Sequence, residues 1–301
     1  MKECGRRVIA LGFFDGVHLG HASLLNMAKR RAAEKGLRAA VMSFDHHPDT
    51  VVFGKPVWLI NSLEDRREIL HRCFSMDDVI LVHFDEAMMH MPWDRFVEDY
   101  LVRELGAAHL VCGYDFRFGD RGVGNPEKLR SKCEELGLGL DVMPKVTLDG
   151  VTVSSTHIRN LIEAGNMDEA CRFLGHRHCL SGEVIHGKEL GRTLGTPTAN
   201  LIVPDSVLTP AYGVYATKVT LPDGDVRLAV TNVGVRPTVD DGTGITVEPW
   251  ILDYKGDLYG KRIRVDFYKM LRGEKKFDSL DALRQEILNN SEETRQLLSK
   301  G

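Results

Sequence analysis

Gly12-Phe13-Phe14-Asp15-Gly16-Val17-His18-Leu19-Gly20-His21 is the stretch of this sequence that says most about the fold. It follows an apolar run at 8–11 and precedes an amphipathic segment that begins at Ala22. This order indicates a buried strand, a glycine-containing turn and then a helix. The turn glycines allow the backbone to approach a ligand closely, and the free N–H groups of a helix start attract anions.

His18 and His21 are three residues apart, so they share one face if the first helical turn contains both. Two imidazoles beside a phosphate-binding helix end can stabilise the charge that develops when a phosphoryl group is transferred. A plain glycine turn with two surface histidines fits the spacing equally well. The stretch alone therefore leaves both interpretations open.

The first half of the chain alternates between apolar runs and amphipathic segments. The alternation predicts strands at 8–11, 37–44, 79–82, 108–112 and 140–143, and helices at 22–35, 62–74, 93–104 and 126–136. Asn61 is expected to cap the second of these helices. Strands that alternate with helices indicate a parallel sheet covered on both faces. Because ligands bind at the carboxyl ends of such strands, the loops at 12–21, 45–48 and 113–119 should meet in one cleft.

The second half of the chain has a different residue pattern. Runs rich in Val, Ile, Thr and Tyr predict strands at 182–185, 213–220, 227–231, 246–252 and 262–268, followed by a helix at 279–288. The turn Leu221-Pro222-Asp223-Gly224-Asp225 joins two of these strands as a hairpin. This pattern predicts a small all-β barrel with a C-terminal helix. We place the boundary near residue 180, which gives domains at 1–180 and 181–301.

Composition limits the possible partners. The 301 residues carry a formal net charge of −4, so no basic excess points to nucleic acid. The start of the chain is a poor secretory signal and too short for a membrane span, so we expect a cytoplasmic protein that does not bind membranes. The six cysteines form no C-x-x-C pair, which favours reduced thiols and predicts no structural metal.

Two further motifs in the first half allow a structural and a functional interpretation. The loop at 113–119 presents Asp115 or Arg117 beside aromatic rings that could stack on a ligand, or it is an aromatic turn packed on the core. The segment at 153–159 opens a helix with three hydroxyl residues and an arginine one turn on. Those hydroxyls suit helix capping and phosphate binding equally well.

The second half contains a glycine-rich segment at 187–200 and an isolated acidic residue. Its start imitates a P-loop, but Glu189 stands where Ser or Thr must bind Mg²⁺, so we reject that interpretation. A glycine loop over phosphates, with Thr198 and Asn200 as oxygen ligands for Mg²⁺, fits better than a plain β-turn. Glu248 lies among strand residues and is either solvated or held inward for proton transfer.

Taken in order along the chain, these motifs resemble the bacterial bifunctional riboflavin kinase/FMN adenylyltransferases, also called FAD synthetases. The resemblance covers nearly the whole chain. It is carried by the motifs at 12–21, 113–119, 154–159, 191–200, 213–215, 232–238, 258–260 and 271–277. Each motif alone is weak, whereas the ordered series is highly specific.

The resemblance implies two activities that use riboflavin, FMN and ATP, with Mg²⁺ as cofactor. It implies an α/β nucleotidyltransferase (Rossmann-like) domain that makes FAD and a barrel that phosphorylates riboflavin. The catalytic residues would be Glu248, His18 and His21, and the metal ligands Thr198 and Asn200. The nucleotide-binding residues would be Gly12, Phe13, Asp15, Gly20, Ser154, Ser155, Thr156, Arg159, Gly187, Gly191 and Gly195. The flavin-binding residues would be Asp115, Phe116 and Arg272.

The chain departs from the family pattern at two positions. His46 stands where the family usually has proline, so the loop after the second strand has a less rigid entry. Trp250 stands where a histidine usually follows the kinase glutamate. Neither change removes a presumed catalytic group. Three alternatives stay open: a protein that retains one activity, a flavin-binding protein without turnover, and an adenylyltransferase for another substrate, which would explain the first half alone.

Overall fold

The computed structural model describes residues 5–186, 195–235 and 245–299. The chain forms two compact units. The first contains Met1–Trp58 and Arg66–Ser154, and the second contains Leu59–Asp65 and Ser155–Gly301. A short segment of the N-terminal half therefore belongs to the unit formed by the C-terminal half.

The first unit is built on a parallel sheet of five strands in the order β3-β2-β1-β4-β5. The strands are β1 (Arg7–Leu11), β2 (Arg38–Phe44), β3 (Asp78–Val82), β4 (Ala107–Gly113) and β5 (Gly139–Met143). The central strand pairs with β2 on one side and β4 on the other. Its residues from Val8 to Leu11 are almost fully buried, as expected for a strand covered on both faces. The predicted parallel α/β sheet is confirmed.

Helices follow the strands and cover the sheet. They are α1 (Leu19–Lys35), α2 (Pro48–Phe53), α3 (Leu63–Phe74), α4 (Glu86–Met89), α5 (Trp93–Arg95) and α6 (Pro126–Leu136). A π-helical segment, Phe96–Glu104, continues directly from α5. The last element of the unit is a small hairpin formed by β6 (Thr147–Leu148) and β7 (Val151–Thr152).

Three details of these helices differ from the sequence prediction. Helix α1 begins at Leu19, three residues before the predicted start at Ala22, because His18 serves as its N-cap. Helix α2 lies beyond the predicted 45–48 loop, within sequence that we had not assigned to a helix. The predicted cap Asn61 is wrong, since the hydroxyl of Ser62 accepts the N–H of Asp65 at 3.0 Å. A hydroxyl three residues before the bonded N–H is the usual capping geometry.

The second unit contains a closed barrel in the order β10-β11-β12-β9-β8-β13. Its strands are β8 (Cys179–Ile185), β9 (Asn200–Ile202), β10 (Gly213–Thr220), β11 (Val226–Val235), β12 (Ile245–Ile251) and β13 (Arg262–Gly273). The helices are α7 (Ser155–Glu163), α8 (Met167–Leu174) and α9 (Leu280–Leu298). The predicted barrel and C-terminal helix are confirmed, although α9 extends ten residues beyond its predicted end at Leu288.

The segment Leu59–Asp65 is integrated into the second unit by backbone hydrogen bonds. The N–H of Leu59 bonds to the carbonyl of Ser206 at 2.8 Å, and its own carbonyl accepts the N–H of Leu208 at 2.7 Å. Ile60 and Asn61 are almost completely buried there. The carboxylate of Asp65 also accepts the backbone N–H of Ser181 in β8.

Across the described part of the chain, no helix is both long and apolar enough to cross a membrane. The described cysteines are free thiols, and Cys112, Cys133 and Cys179 are buried. Burial raises the pKa of Cys112 to about 12 and that of Cys133 to about 11, so both thiols stay protonated.

Candidate active sites

The turn between β1 and α1 has an unusual backbone conformation. Phe14 has a φ of 60° and Val17 a φ of 41°, with Gly16 between them at 77°. Positive φ is expected of glycine but is rare for a bulky or β-branched residue and costs about 1–3 kcal/mol. The strain is held by packing, because Phe14 and Val17 are fully buried. Such outliers concentrate at functional sites, which marks this turn as a candidate site.

His18 and His21 form a stacked pair at the start of α1. Their ring centroids lie 3.6 Å apart and the ring planes differ by 9°. The Nδ1 atom of His18 accepts the backbone N–H of His21 at 3.2 Å, which fixes the His18 ring over the first helical turn. A Cβ atom at Gly20 would lie only 3.0 Å from that ring, so glycine suits the position. His21 lies in the first turn of α1, whereas His18 precedes the helix as its N-cap, so the condition named in the sequence analysis, that the first helical turn contains both histidines, is not met.

The electrostatic environment keeps the His21 ring neutral. Burial, the neighbouring His18 and the guanidinium of Arg66 hold the pKa of His21 well below its ordinary value. Its Nδ1 atom is buried and has no hydrogen-bond partner among the residues that the structure describes. A buried ring nitrogen without a partner is available to a bound ligand, because leaving it unpaired carries a desolvation penalty.

Arg66 is a residue of this site that the sequence analysis did not identify. It is 1% exposed and donates from Nη1 to the carbonyl of Phe13 at 2.7 Å and from Nη2 to that of Phe44 at 2.8 Å. Burial lowers the pKa of Arg66 to about 10, opposed by Asp15 and Asp45, so the side chain stays charged near neutral pH. This one cation joins the loops after β1 and β2. The sequence did contain one indication that Arg66 is buried, because it lies on the same helical face as the apolar residues Ile69 and Leu70.

The other residues predicted for this site are also packed or buried in the turn after β1. Phe13 and the ring of His47 make an edge-to-face contact with centroids 4.6 Å apart, and the guanidinium carbon of Arg66 lies 4.3 Å from the centroid of the Phe13 ring. Asp15 is 3% exposed. A Cβ at Gly12 would lie 3.1 Å from the ring of Phe14. The first two predicted loops therefore meet at the carboxyl edge of the sheet.

The aromatic loop after β4 combines an exposed and a packed side. Asp115 is exposed, whereas Phe116 is half-buried against the core and stacks on Phe118, with centroids 5.4 Å apart. Gly119 has a φ of 73° and lies so close to Trp93 that a Cβ would overlap it. The packed side of the loop supports the structural interpretation, and the exposed carboxylate of Asp115 is accessible to a ligand.

The hydroxyl motif spans the point in the sequence at which the first unit ends and the second resumes. Ser154 ends the first unit, and the carbonyl of the preceding residue, Val153, would lie 3.8 Å from a Cβ at Gly20. Ser155, Thr156 and Arg159 belong to the first turns of α7, in the second unit.

A cavity of about 660 Å³ lies in the second unit. It is lined by Glu248 and Trp250 of β12, by Thr198 before β9, and by Arg272 at the end of β13. The other lining residues are Thr196, Val214, Val230, Asn232, Glu274, Lys275, Lys276, Phe277, Leu283, Ile287 and Asn290. Six of these side chains are apolar and the other nine are charged or polar, so the cavity offers both a surface for apolar contact and groups that can orient a small-molecule ligand.

Strand pairing places two other polar residues opposite Glu248, Asn232 from the cavity lining and Asn200, which is not among the lining residues. Glu248 is directly opposite Asn232 on β11. On its other side β12 pairs Val247 with Leu201, and the N–H of Ala199 bonds to the carbonyl of Pro249 at 2.9 Å. The same antiparallel register places Asn200 opposite Glu248, and side chains at opposed positions share one face. Asn200 itself is 8% exposed.

Arg272 is positioned by helix α9. Its Nε atom donates to Oδ1 of Asn290 at 3.2 Å and lies 3.4 Å from a carboxylate oxygen of Glu286. Burial lowers the pKa of Arg272, and Glu286 opposes that shift. The sequence analysis had singled out the motifs at 232–238 and 271–277 without assigning a role to Asn232, Lys275, Lys276 or Phe277, and it had not identified the α9 residues of this cavity. Helical spacing of Leu283 and Ile287 was a signal for a buried helix face but not for a ligand cavity.

Gly195 has a φ of 79° with open space around the position of a Cβ, as a glycine in a turn should. The predicted nucleotide-binding residues Gly187 and Gly191 lie outside the described residues.

Comparison with known proteins gives consistent matches for both halves of the chain. The sequence model of the FAD synthetase family matches residues 1–157, and that of the riboflavin kinase family matches residues 174–298. Proteins named bifunctional riboflavin kinase/FMN adenylyltransferase are similar over nearly the full length. That of Listeria monocytogenes is 35% identical over 98% of this chain and 93% of its own. That of Escherichia coli is 36% identical over 93% of this chain and 89% of its own.

A solved structure from Streptococcus pneumoniae, titled a macrolide-efflux protein, has the same architecture. It superposes with a TM-score of 0.85 at 30% identity and covers 96% of this chain and 94% of its own.

Proposed function

Since this chain belongs to the family of bifunctional riboflavin kinase/FMN adenylyltransferases, we propose that it makes FAD from riboflavin in two ATP-dependent steps. The C-terminal domain, 181–301, phosphorylates riboflavin to FMN. The N-terminal domain, 1–180, joins FMN to the AMP part of a second ATP and releases pyrophosphate. The riboflavin kinase family match to 174–298 supports this assignment of activities.

In the kinase, Glu248 is the general base. It accepts the proton of the terminal ribityl hydroxyl as that oxygen bonds to the γ-phosphorus of ATP and the bond to ADP breaks. The cavity supports this role because it has room for an isoalloxazine ring and places Glu248 on its wall. Arg272 and Phe277, which line the same cavity, are suited to hold the flavin, with the guanidinium 5.4 Å from the phenyl centroid.

Thr198 and Asn200 fit a magnesium ion that accompanies ATP. Both offer neutral oxygen atoms, which Mg²⁺ prefers, and the register of β9 on β12 brings Asn200 level with Glu248. A bound Mg²⁺ would neutralise charge on the ATP phosphates. Gly187, Gly191 and Gly195 are proposed to border the phosphates of this ATP.

In the adenylyltransferase, no protein nucleophile is needed, because an oxygen of the FMN phosphate attacks the α-phosphorus of ATP and pyrophosphate leaves. His18 and His21 stabilise the transferring phosphate, a role supported by the unpartnered Nδ1 atom of His21 at the start of α1. Gly12, Phe13, Asp15 and Gly20 are proposed to bind the nucleotide. The hydroxyls of Ser154, Ser155 and Thr156 and the charge of Arg159 are proposed to bind its phosphates. Asp115 and Phe116 are proposed to contact the flavin.

The observation that carries the proposal is that each half matches its own enzyme family while containing its own polar site. Purified protein is incubated with riboflavin, ATP and Mg²⁺, and flavins are separated by chromatography. We expect FMN and then FAD, with pyrophosphate released in proportion to FAD. Saturable flavin binding without either product would instead identify a flavin-binding protein without turnover.

The two activities should be separable by single substitutions. Glu248→Gln should abolish FMN formation while leaving FAD formation from supplied FMN unchanged. Glu183→Gln, an exposed carboxylate on β8 of the same barrel, is the matched control and should retain both. Loss of both activities in Glu248→Gln would contradict separate sites.

A substitution in the first unit should have the opposite effect, so that FAD formation is slowed and FMN formation is retained. His21→Ala should slow FAD formation by about 100-fold or more, the scale of a lost transition-state donor, and leave FMN formation intact. His71→Ala, an exposed histidine on α3, is the control. A His21→Ala protein with full FAD formation would remove the histidine pair from the mechanism.

A further inference from the structure

Three potential metal ligands lie together at the carboxyl edge of the parallel sheet, outside the groups assigned above. Asp45 follows β2 directly, and His83 follows β3, its parallel neighbour. The N–H of Asp45 bonds to the carbonyl of Val82 at 3.0 Å, which extends the pairing to the residues that carry the ligands. Because the sheet sets the spacing of these two residues, their side chains are brought together by rigid elements and not by a loose loop.

The third ligand is His46, the residue after Asp45. Nδ1 of His46 lies 2.9 Å from Oδ1 of Asp45, and Nδ1 of His83 lies 2.7 Å from Oδ2. The ligand atoms of the three residues all fall within 4.8 Å of one another. In a tetrahedral site with bonds of about 2.0–2.1 Å, neighbouring ligand atoms are about 3.3 Å apart. A metal ion would therefore require the two contacts to open by only about half an ångström.

The carboxylate at the centre of the cluster is already oriented. Its Oδ1 atom accepts the backbone N–H of His46 at 2.8 Å and that of Phe84 at 3.1 Å. Hydrogen bonds of this kind hold a ligating carboxylate in place. The side chain of Asp45 is 24% exposed, whereas those of His46 and His83 are 60% and 67% exposed. The cluster thus faces solvent, with room for an ion to enter and for water to complete its coordination.

We propose that Asp45, His46 and His83 form a site for a divalent first-row transition metal of the Zn²⁺ class, with one coordination position open to solvent. Two imidazole nitrogens and one carboxylate select zinc, cobalt or nickel over magnesium, which prefers oxygen ligands and retains its water. This site is distinct from the oxygen ligands proposed for the magnesium of ATP in the second unit. A metal here would be an exception to our sequence-based expectation of no structural metal. The sequence contained no sign of this cluster, because strand pairing brings its ligands together and they have no recognisable spacing along the chain.

The test is a titration of the full-length, metal-free protein with Co²⁺, followed by visible absorption and by calorimetry. We expect one equivalent to bind, with absorption bands of a cobalt ion bound by nitrogen and oxygen, and Zn²⁺ in equal amount to displace it. Excess Mg²⁺ should leave the bands unchanged. His46→Ala and His83→Ala should each weaken binding by about 100-fold, at least the effect of losing a supporting residue of a metal site.

His90→Ala provides the matched control. His90 also pairs its Nδ1 atom with a carboxylate, Asp120, at 3.0 Å and is similarly exposed, but no third ligand joins the pair among the described residues. That variant should bind Co²⁺ like the wild type. Since all three histidines are exposed, circular dichroism should show each variant folded. Absence of stoichiometric binding, or equal binding by all three variants, would overturn the proposal.

Discussion

His178 makes the stability of the barrel depend on pH. It immediately precedes β8, is 1% exposed, and has both ring nitrogens buried without a hydrogen-bond partner within the described residues. Burial, with a smaller effect from His176, lowers the pKa of His178 to about 3. The folded protein therefore keeps this ring neutral at pH 5 and above.

The unfolded chain behaves differently, because its histidines take up protons below about pH 6.5. Between that pH and about 3 the unfolded state binds one more proton at this position, so stability falls as the pH is lowered through this window. At 1.36 kcal/mol per pH unit, the free energy of unfolding falls by about 2 kcal/mol between pH 7 and pH 5. Near pH 7 and above, the contribution of this group is close to zero.

His178→Leu removes the titrating group while keeping a similar volume. Urea unfolding of wild type and variant is measured at pH 7 and pH 5 by hydrogen exchange of peptides from β13, whose Phe267 N–H bonds to the carbonyl of His178. The variant should lose about 2 kcal/mol less than the wild type between the two pH values. His186→Gln, an exposed histidine of the same unit, should behave like the wild type. Equal pH dependence in His178→Leu and wild type would refute the reasoning.

Two further substitutions probe the contacts that hold each unit together. Arg66→Met removes two charged hydrogen bonds, to the carbonyls of Phe13 and Phe44, and should lower the free energy of unfolding of the first unit by about 3 kcal/mol, measured by urea denaturation. Gly182→Ala would place a Cβ against the carbonyl oxygen of Ile202 on the paired strand and should cost about 3 kcal/mol in the barrel, measured by hydrogen exchange.

Each of these substitutions has a neighbouring control. Arg67 is exposed on the same helix, and Arg67→Met should leave stability unchanged to within about 0.5 kcal/mol. A Cβ at Gly273 in β13 meets open space, so Gly273→Ala should also be tolerated. If either test variant were as stable as its control, the corresponding contact would not stabilise the fold.

Local sequence patterns predicted most of the architecture because its strands are driven by burial. The five parallel strands were recognisable as apolar runs, and β10 and β11 were recognisable from the hairpin turn that joins them. Helix α2 was missed because its cap is His47, whose Nδ1 atom accepts the N–H of Asp49, and histidine is not a usual capping residue. The full length of α9 was missed because two of the three residues that its last turns bury, Asn290 and Thr294, are polar, so the sequence shows no continuous apolar stripe there.

The candidate sites were predictable only as far as their motifs are local. The sequence shows His18 and His21 three residues apart. The contacts of Arg66 with two different loops, in contrast, depend on the folded sheet. The same holds for the Asp45–His83 contact, which strand pairing creates between residues 38 positions apart. Side chains that meet through tertiary structure carry no common signature along the chain.

The contribution of Leu59–Asp65 to the second unit limits how the protein can be divided. A C-terminal fragment that starts at residue 155 or at residue 181 would be missing Ile60 and Asn61, and would expose the surface that they bury. The partners of Leu59 at Ser206 and Leu208 would lose their hydrogen bonds as well. An autonomous barrel would therefore have to carry this seven-residue stretch with it, for example fused through a short linker, and simple truncation cannot provide it.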